Sequence, residues 1–231
     1  MKKLLYVVVA ILLFVGVIHA QEWIAESIEL TESIGLYEMF ARMADGIVYC
    51  HSDRTKTTGV VVKKTSTGSW ILTAGHKVEM DFPQASKINV KVDRGRGSKT
   101  YISLEGSIIV PEERGLDLVL FFIEGLKTKY VFKRFRVPYQ YEENWVFGFR
   151  GGAGKVPGSV GYVAGYFVER GFVFTSASVW YGCSGAPVVN RRGDALGLIV
   201  RLANPPSTDG LFVSGKLVKE FIERALVLQK K

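Results

Sequence analysis

A hydroxyl and a thiol lie side by side in Gly182-Cys183-Ser184-Gly185-Ala186-Pro187, with one glycine two residues before Ser184 and another directly after it. A serine hydroxyl is a weak nucleophile until an adjacent base takes its proton. The tetrahedral species formed by its attack needs N–H donors aimed at the new oxyanion. Glycine at 182 and 185 lets the backbone turn tightly and come close to a substrate. Alone, the hexapeptide reads equally well as a turn feeding a strand at Val188-Val189. A base and a carboxylate elsewhere in the chain decide between the two.

The chain has three histidines. His19 ends an apolar leader and His51 opens a polar, charged turn. His76 closes Thr73-Ala74-Gly75-His76, directly after the apolar run Trp70-Ile71-Leu72. That placement makes His76 the candidate base. Asp117 sits within Gly115-Leu116-Asp117-Leu118-Val119-Leu120-Phe121. A carboxylate in such apolar company is costly without a partner. Orienting a histidine N–H is one such partnership; capping backbone N–H groups at the start of a strand is the other. Asp81 and Asp93 lie in more polar surroundings.

These residues need elements to hold them. From Gln21 to Asp45, Ile24, Ile28, Leu36, Met39, Phe40 and Met43 recur at helical steps, which predicts a helical N-terminal arm over 21–45. The texture then changes to short strands. These are expected at Ile47 to Tyr49, Gly59 to Lys63, Trp70 to Thr73, Ile88 to Val92, Tyr101 to Val110, Leu116 to Ile123 and Trp145 to Phe149. Further runs follow at Ser159 to Phe167, Phe172 to Thr175, Pro187 to Asn190, Ala195 to Arg201 and Leu211 to Ser214. One later helix is predicted over Lys216 to Leu228, where Leu217, Val218, Phe221, Ile222 and Ala225 share a face. Many closely spaced strands without interleaved helices indicate a barrel or sandwich, not βαβ units.

At 231 residues with 48% hydrophobic content, the chain can bury a substantial core. It opens with Met1-Lys2-Lys3, an apolar run from Leu4 to Ile18, and His19-Ala20-Gln21. This pattern is that of a secretory signal peptide over 1–20, with a membrane tether through Leu4 to Ile18 as the alternative. Either way the expectation is an exported protein, periplasmic or extracellular. The net charge is +8, but its basic residues are scattered over Lys63-Lys64, Lys87 to Lys99, Lys127 to Arg136 and Arg191-Arg192. Nucleic-acid binders concentrate theirs on one face, so the expectation is no nucleic-acid partner and modest affinity for anionic envelopes. The two cysteines, Cys50 and Cys183, are too few for a disulfide framework.

The order His76, Asp117, Ser184, each in its own local context, resembles the trypsin-like peptidases, and most closely their HtrA/Deg-type branch without a PDZ domain. The resemblance runs from about Gly46 to Val227. Gly59-Val60-Val61-Val62 followed by Trp70 to His76 is similar to that branch's glycine-led strand, turn and base-bearing strand. Gly148 to Gly152 with Gly158 to Val163, and Val188 to Gly197 after the serine, match its later segments, as does Asp209 to Ser214 leading into a helix. The resemblance implies an all-β fold of two six-stranded antiparallel barrels over residues 46–231, one at 46–130 and one at 140–215, closed by a helix at 216–228. It implies an exported serine endopeptidase acting on polypeptides with Ser184 as nucleophile, His76 as base and Asp117 as orienting carboxylate. The Gly182 and Ser184 N–H groups would form the oxyanion hole. Ile199, Val200 and Arg201 would pair with substrate backbone, with a small or apolar residue before the scissile bond. No metal or cofactor is expected. Cys183 is a rival nucleophile, but the motif's glycine spacing fits Ser184. The alternative function is a non-catalytic peptide-binding or envelope-interaction module on the same fold.

Overall fold

The computed structural model describes residues 35–51, 56–76, 89–93, 98–102, 108–109, 115–149, 155–167, 171–203 and 209–228. By compactness the chain divides into Met1–Ala41 and Arg42–Lys231. Residues 35–44 form a helix. The earlier part of the predicted arm, and the whole apolar leader, lie outside the described residues. The remainder is almost entirely antiparallel β-structure.

The first half builds one seven-stranded sheet. Its strands are β1 (Ile47–His51), β2 (Lys56–Lys64), β3 (Gly68–Ala74), β4 (Asn89–Asp93), β5 (Ser98–Ile102), β6 (Ile108–Ile109) and β7 (Leu118–Glu124). They are ordered β5-β4-β1-β2-β3-β7-β6. The second half builds a closed barrel from β8 (Glu143–Phe149), β9 (Lys155–Phe167), β10 (Phe172–Ser178), β11 (Pro187–Val189), β12 (Ala195–Leu202) and β13 (Asp209–Ser214). Its order is β10-β13-β12-β11-β8-β9, closed by the pairing of β9 with β10. Of the two six-stranded barrels expected, one is thus found as a closed barrel, and the other half is a seven-stranded sheet. A difference in detail explains the extra strand. The single run predicted over Tyr101 to Val110 is two strands, because β5 pairs with β4 at one edge of the sheet while β6 pairs with β7 at the other.

Each half has its own apolar core. Val48, Cys50, Ile71, Val119 and Phe121 are buried together in the sheet, and Val146, Val188, Leu196, Ile199 and Phe212 in the barrel. Burying side chains of this size is worth about 1.5–3 kcal/mol each, which is why the strands run almost uninterruptedly apolar. The halves meet where β2 and β3 approach β8 and β12. The helix Gly215–Leu228 lies on β12 and β13 and buries Val218, Phe221 and Ala225. Among the described residues no helix is long and apolar enough to cross a membrane.

Candidate active site

The histidine is delivered by strand register. β3 pairs with β7 from Gly68 opposite Glu124 to Ala74 opposite Leu118. One step further, Gly75 meets Asp117, and its N–H donates to the Asp117 carbonyl at 2.8 Å. Asp117 itself does not lie inside β7, as the apolar run suggested. It precedes the strand at φ 54°, a left-handed conformation that aspartate tolerates better than most residues. That turn aims both carboxylate oxygens at His76. Oδ1 accepts the His76 backbone N–H at 2.5 Å, and Oδ2 lies 2.7 Å from Nδ1. Asp117 thus contacts both a backbone N–H and the imidazole of His76. With Nδ1–H facing a carboxylate, the ring's free nitrogen is Nε2, which is then a base. The pair is partly open to solvent, at 30% and 25% side-chain exposure.

The serine is delivered by a different device. The chain turns back at Trp180 to Cys183, where the Cys183 N–H donates to the Trp180 carbonyl at 2.9 Å. Gly182, the third residue of that turn, has φ 96°. Positive φ at this position is the mark of a type II turn, whose central peptide is flipped relative to type I. Among the described residues, neither the Gly182 nor the Ser184 N–H has an acceptor. Gly185 follows at φ 79°, and a Cβ there would collide with the Thr58 carbonyl and the Thr73 hydroxyl. Its N–H donates to the Ile199 carbonyl at 2.6 Å. Glycine is therefore required at 185 on both conformational and steric grounds.

Two threonines at the start of β2, Thr57 and Thr58, fasten this loop to the other half of the molecule. The Ser184 carbonyl accepts the Thr58 N–H at 2.9 Å and the Thr57 hydroxyl at 2.5 Å. The Thr58 hydroxyl donates to the Gly182 carbonyl at 2.7 Å and accepts the Phe149 N–H at 2.9 Å. Thr73, three residues before His76, donates its hydroxyl to the Thr58 carbonyl at 2.6 Å. The Thr57 and Thr73 hydroxyls stand 3.3 Å apart, but each has one proton and each already gives it to a carbonyl. All three threonines are buried. The base-bearing strand and the serine loop thus share one polar network. The signal available in the sequence was a pair of β-branched residues directly before the buried run Gly59-Val60-Val61-Val62.

Among the described residues the Ser184 hydroxyl makes no hydrogen bond, to His76 or to any other group. Catalytic hydrogen bonds commonly tighten only when substrate is bound. Cys183 is buried and packs in the barrel core beside Ala186, while Cys50 is buried in the core of the sheet. Neither forms a disulfide. Burial pushes the Cys50 thiol well above its ordinary pKa.

Of the expected substrate strand, Ile199 has both backbone groups engaged with the serine loop, donating to Ala186 at 2.9 Å and accepting from Gly185. Val200 is the bulged residue of the β12–β13 pairing, and Arg201 is exposed with its guanidinium 5.6 Å from the Phe172 ring. β11 pairs with β12 only between Ala195 and Leu198. The edge of β12 beyond Ile199 is therefore not covered by β11. At Gly210 a Cβ would meet Ile199, Thr175 and Val179 side-chain atoms at 3.0 to 3.1 Å, so this neighbourhood is tightly filled and mostly apolar.

The family described as the trypsin-like peptidase domain matches residues 57–198, which span β2, β3, His76, Asp117 and the Ser184 loop. Among solved structures, the chain is similar to a serine endoprotease from Yersinia pestis, with TM-score 0.65 and 21% identity over 82% of this chain and 66% of that one. It is also similar to Rv3671c from M. tuberculosis in an inactive mutant form, with TM-score 0.63 and 14% identity over 83% of this chain and 91% of that one. A third is the apo MamO protease domain from Magnetospirillum magneticum, with TM-score 0.63 and 16% identity over 79% of this chain and 98% of that one. At these identities the similarity establishes the fold. No curated protein matches the chain in sequence.

Proposed function

The chain belongs to the trypsin-like peptidase domain family, and on that premise we propose that it is an exported serine endopeptidase working through Ser184, His76 and Asp117. The observation that carries the reading is the pair of hydrogen bonds from His76 to Asp117, one through the backbone N–H and one at Nδ1. It leaves Nε2 as the base, two residues beyond β3, whose Thr73 shares a hydrogen-bonded network with the Ser184 loop.

The reaction then runs in two halves. Ser184 Oγ attacks the scissile carbonyl carbon while its proton passes to His76 Nε2. The carbonyl oxygen becomes an oxyanion and is received by the Gly182 and Ser184 N–H groups, which have no protein acceptor among the described residues. Asp117 stabilises the imidazolium without taking its proton. His76 then protonates the departing amine, leaving an acyl-Ser184 ester. Water attacks that ester with His76 again as base, which releases the acid and restores the hydroxyl. Substrate backbone adds to the edge of β12 beyond Ile199, through Val200 to Leu202, as an extra strand. The filled, mostly apolar surroundings of Gly210 favour a small aliphatic residue before the scissile bond. The leader before Gln21 supports export.

Turnover of an unfolded polypeptide by the purified domain tests this reading. The wild-type chain is expected to cleave it, and Ser184→Ala to lose several orders of magnitude in kcat/KM. Binding of the polypeptide with equal, negligible turnover in both would make the domain a peptide-binding module instead.

A further inference from the structure

Lys133-Arg134 lies in the connection between the two halves, and Arg191-Arg192 in the turn after β11, so the sequence keeps these pairs well apart. The fold brings Lys133, Arg134 and Arg192 to one cleft of about 250 Å3, which Tyr130 and Asp194 also line. This cleft shares no residue with the Ser184 loop. That loop precedes Pro187 at one end of β11, whereas Arg192 follows Val189 at the other.

Both walls of the cleft are fixed by backbone bonding. The Phe132 N–H donates to the Val61 carbonyl at 2.8 Å, the Ala195 N–H to the Arg134 carbonyl at 2.8 Å and the Arg136 N–H to the Ala195 carbonyl at 3.0 Å. In the neighbouring turn, the Asn190 side-chain oxygen accepts the N–H groups of Arg192 at 3.0 Å and Asp194 at 2.9 Å. The turn is closed further by the Gly193 N–H on the Asn190 carbonyl at 2.9 Å. The three cations are therefore carried on two rigid supports.

The charges lining the cleft do not balance. Its one carboxylate, Asp194, lies 3.5 Å from the Arg136 Nε and 3.5 Å from the Asn190 side-chain nitrogen, neither of which belongs to the lining. Among the described residues, Lys133, Arg134 and Arg192 have no carboxylate within ion-pair distance. The Tyr130 phenol lies within electrostatic reach of both Asp194 and Arg134; burial and Asp194 keep it protonated, against the smaller pull of Arg134, so it remains a hydrogen-bond donor. Planar guanidinium forks match the oxygens of phosphate-type groups in pairs, and lysine adds a point charge.

We propose that this cleft binds a phosphate-type polyanion carrying at least two oxyanion groups, at a site separate from the peptide cleft. Its volume exceeds what a lone tetrahedral oxyanion fills, and three cations drawn from two segments of the lining exceed the charge of one such group. Such a site holds the domain on an anionic molecule while the Ser184 cleft stays open.

Calorimetric titration of the full chain with pyrophosphate, near physiological salt of about 0.15 M, tests the proposal without reference to peptidase activity. Saturable binding of one equivalent is expected. Arg134→Ala/Arg192→Ala is expected to weaken it by at least about tenfold, from the loss of charge-assisted bonds. Both side chains are exposed, so folding is retained. Lys219→Ala, which removes a cation paired with Glu223 on the C-terminal helix, is expected to leave binding unchanged. Long-chain polyphosphate in a parallel titration separates the sources: tighter binding per phosphate than pyrophosphate marks a polymer-borne ligand, and equal binding a free diphosphate. Absence of saturable binding to the wild-type chain overturns the proposal. So does equal weakening by Lys219→Ala, or no weakening by the Arg134/Arg192 double variant.

Discussion

The two halves of the molecule hold their functional groups in opposite ways. In the seven-stranded sheet, His76 and Asp117 are bonded to each other, brought together by the β3–β7 register and by the left-handed turn at Asp117. In the barrel, the Ser184 loop is bent by two glycines at positive φ, and the carbonyls of Gly182 and Ser184 are held by threonines of the sheet. The first arrangement is local to one sheet. The second exists only once both halves have folded and met. A serine loop built this way can be loosened without touching any group that reacts, whereas the histidine site cannot.

Asp117→Asn gives the largest expected effect that sharpens this contrast. The amide reverses the donor facing Nδ1 and moves the ring proton to Nε2, where a base is needed. Turnover is expected to fall by about three to four orders of magnitude with little change in melting temperature; steady-state kinetics and a thermal melt read the two. Thr58→Val comes next. It removes the donor to the Gly182 carbonyl and the acceptor of the Phe149 N–H, leaving two buried groups unpaired, at a cost of about 2–4 kcal/mol in unfolding free energy. Denaturant titration measures this, and kcat is expected to fall with KM little changed. Thr57→Val is expected to cost only about 1 kcal/mol, because the Ser184 carbonyl keeps the Thr58 N–H. A larger kinetic loss from Thr57→Val than from Asp117→Asn would invert the comparison.

The smallest effect concerns the cores. Cys50 is buried in the sheet, and the folded chain keeps its thiol protonated at pH values where the unfolded chain ionises. The folded pKa is raised, so this contribution is fully present below the unfolded value of about 9 and declines as pH rises above it. Wild-type stability is expected to lose roughly half a kcal/mol near pH 9 from this source. Melting curves across that range should show a shallower slope in Cys50→Ala than in the wild-type chain.

The contrast between the halves also explains what could be read from the sequence. The strands were legible because their residues are apolar and β-branched, and His76 because it ends such a run in Thr73-Ala74-Gly75-His76. Asp117 stood out as a charge among Leu116, Leu118 and Val119, although its left-handed turn did not, since conformation at a single residue leaves no pattern in sequence. Thr57 and Thr58 were invisible as site residues. Their partners Gly182 and Ser184 are far along the chain, and nothing in a polar pair before a strand says which carbonyls it will meet. The same holds for the basic cleft: Lys133, Arg134 and Arg192 look scattered until the β11–β12 turn folds against the connection. Ile199 was expected to pair with substrate backbone, and its N–H and carbonyl are bonded to Ala186 and Gly185 of the serine loop.

The central claim is that Ser184, and not its neighbour Cys183, is the nucleophile that His76 activates. Reaction with a fluorophosphonate followed by mass-spectrometric mapping of the adduct addresses it directly. The account predicts a single adduct on Ser184, retained in Cys183→Ala and absent in Ser184→Ala and His76→Ala. Labelling that persists in Ser184→Ala, or an adduct mapped to Cys183, would contradict it.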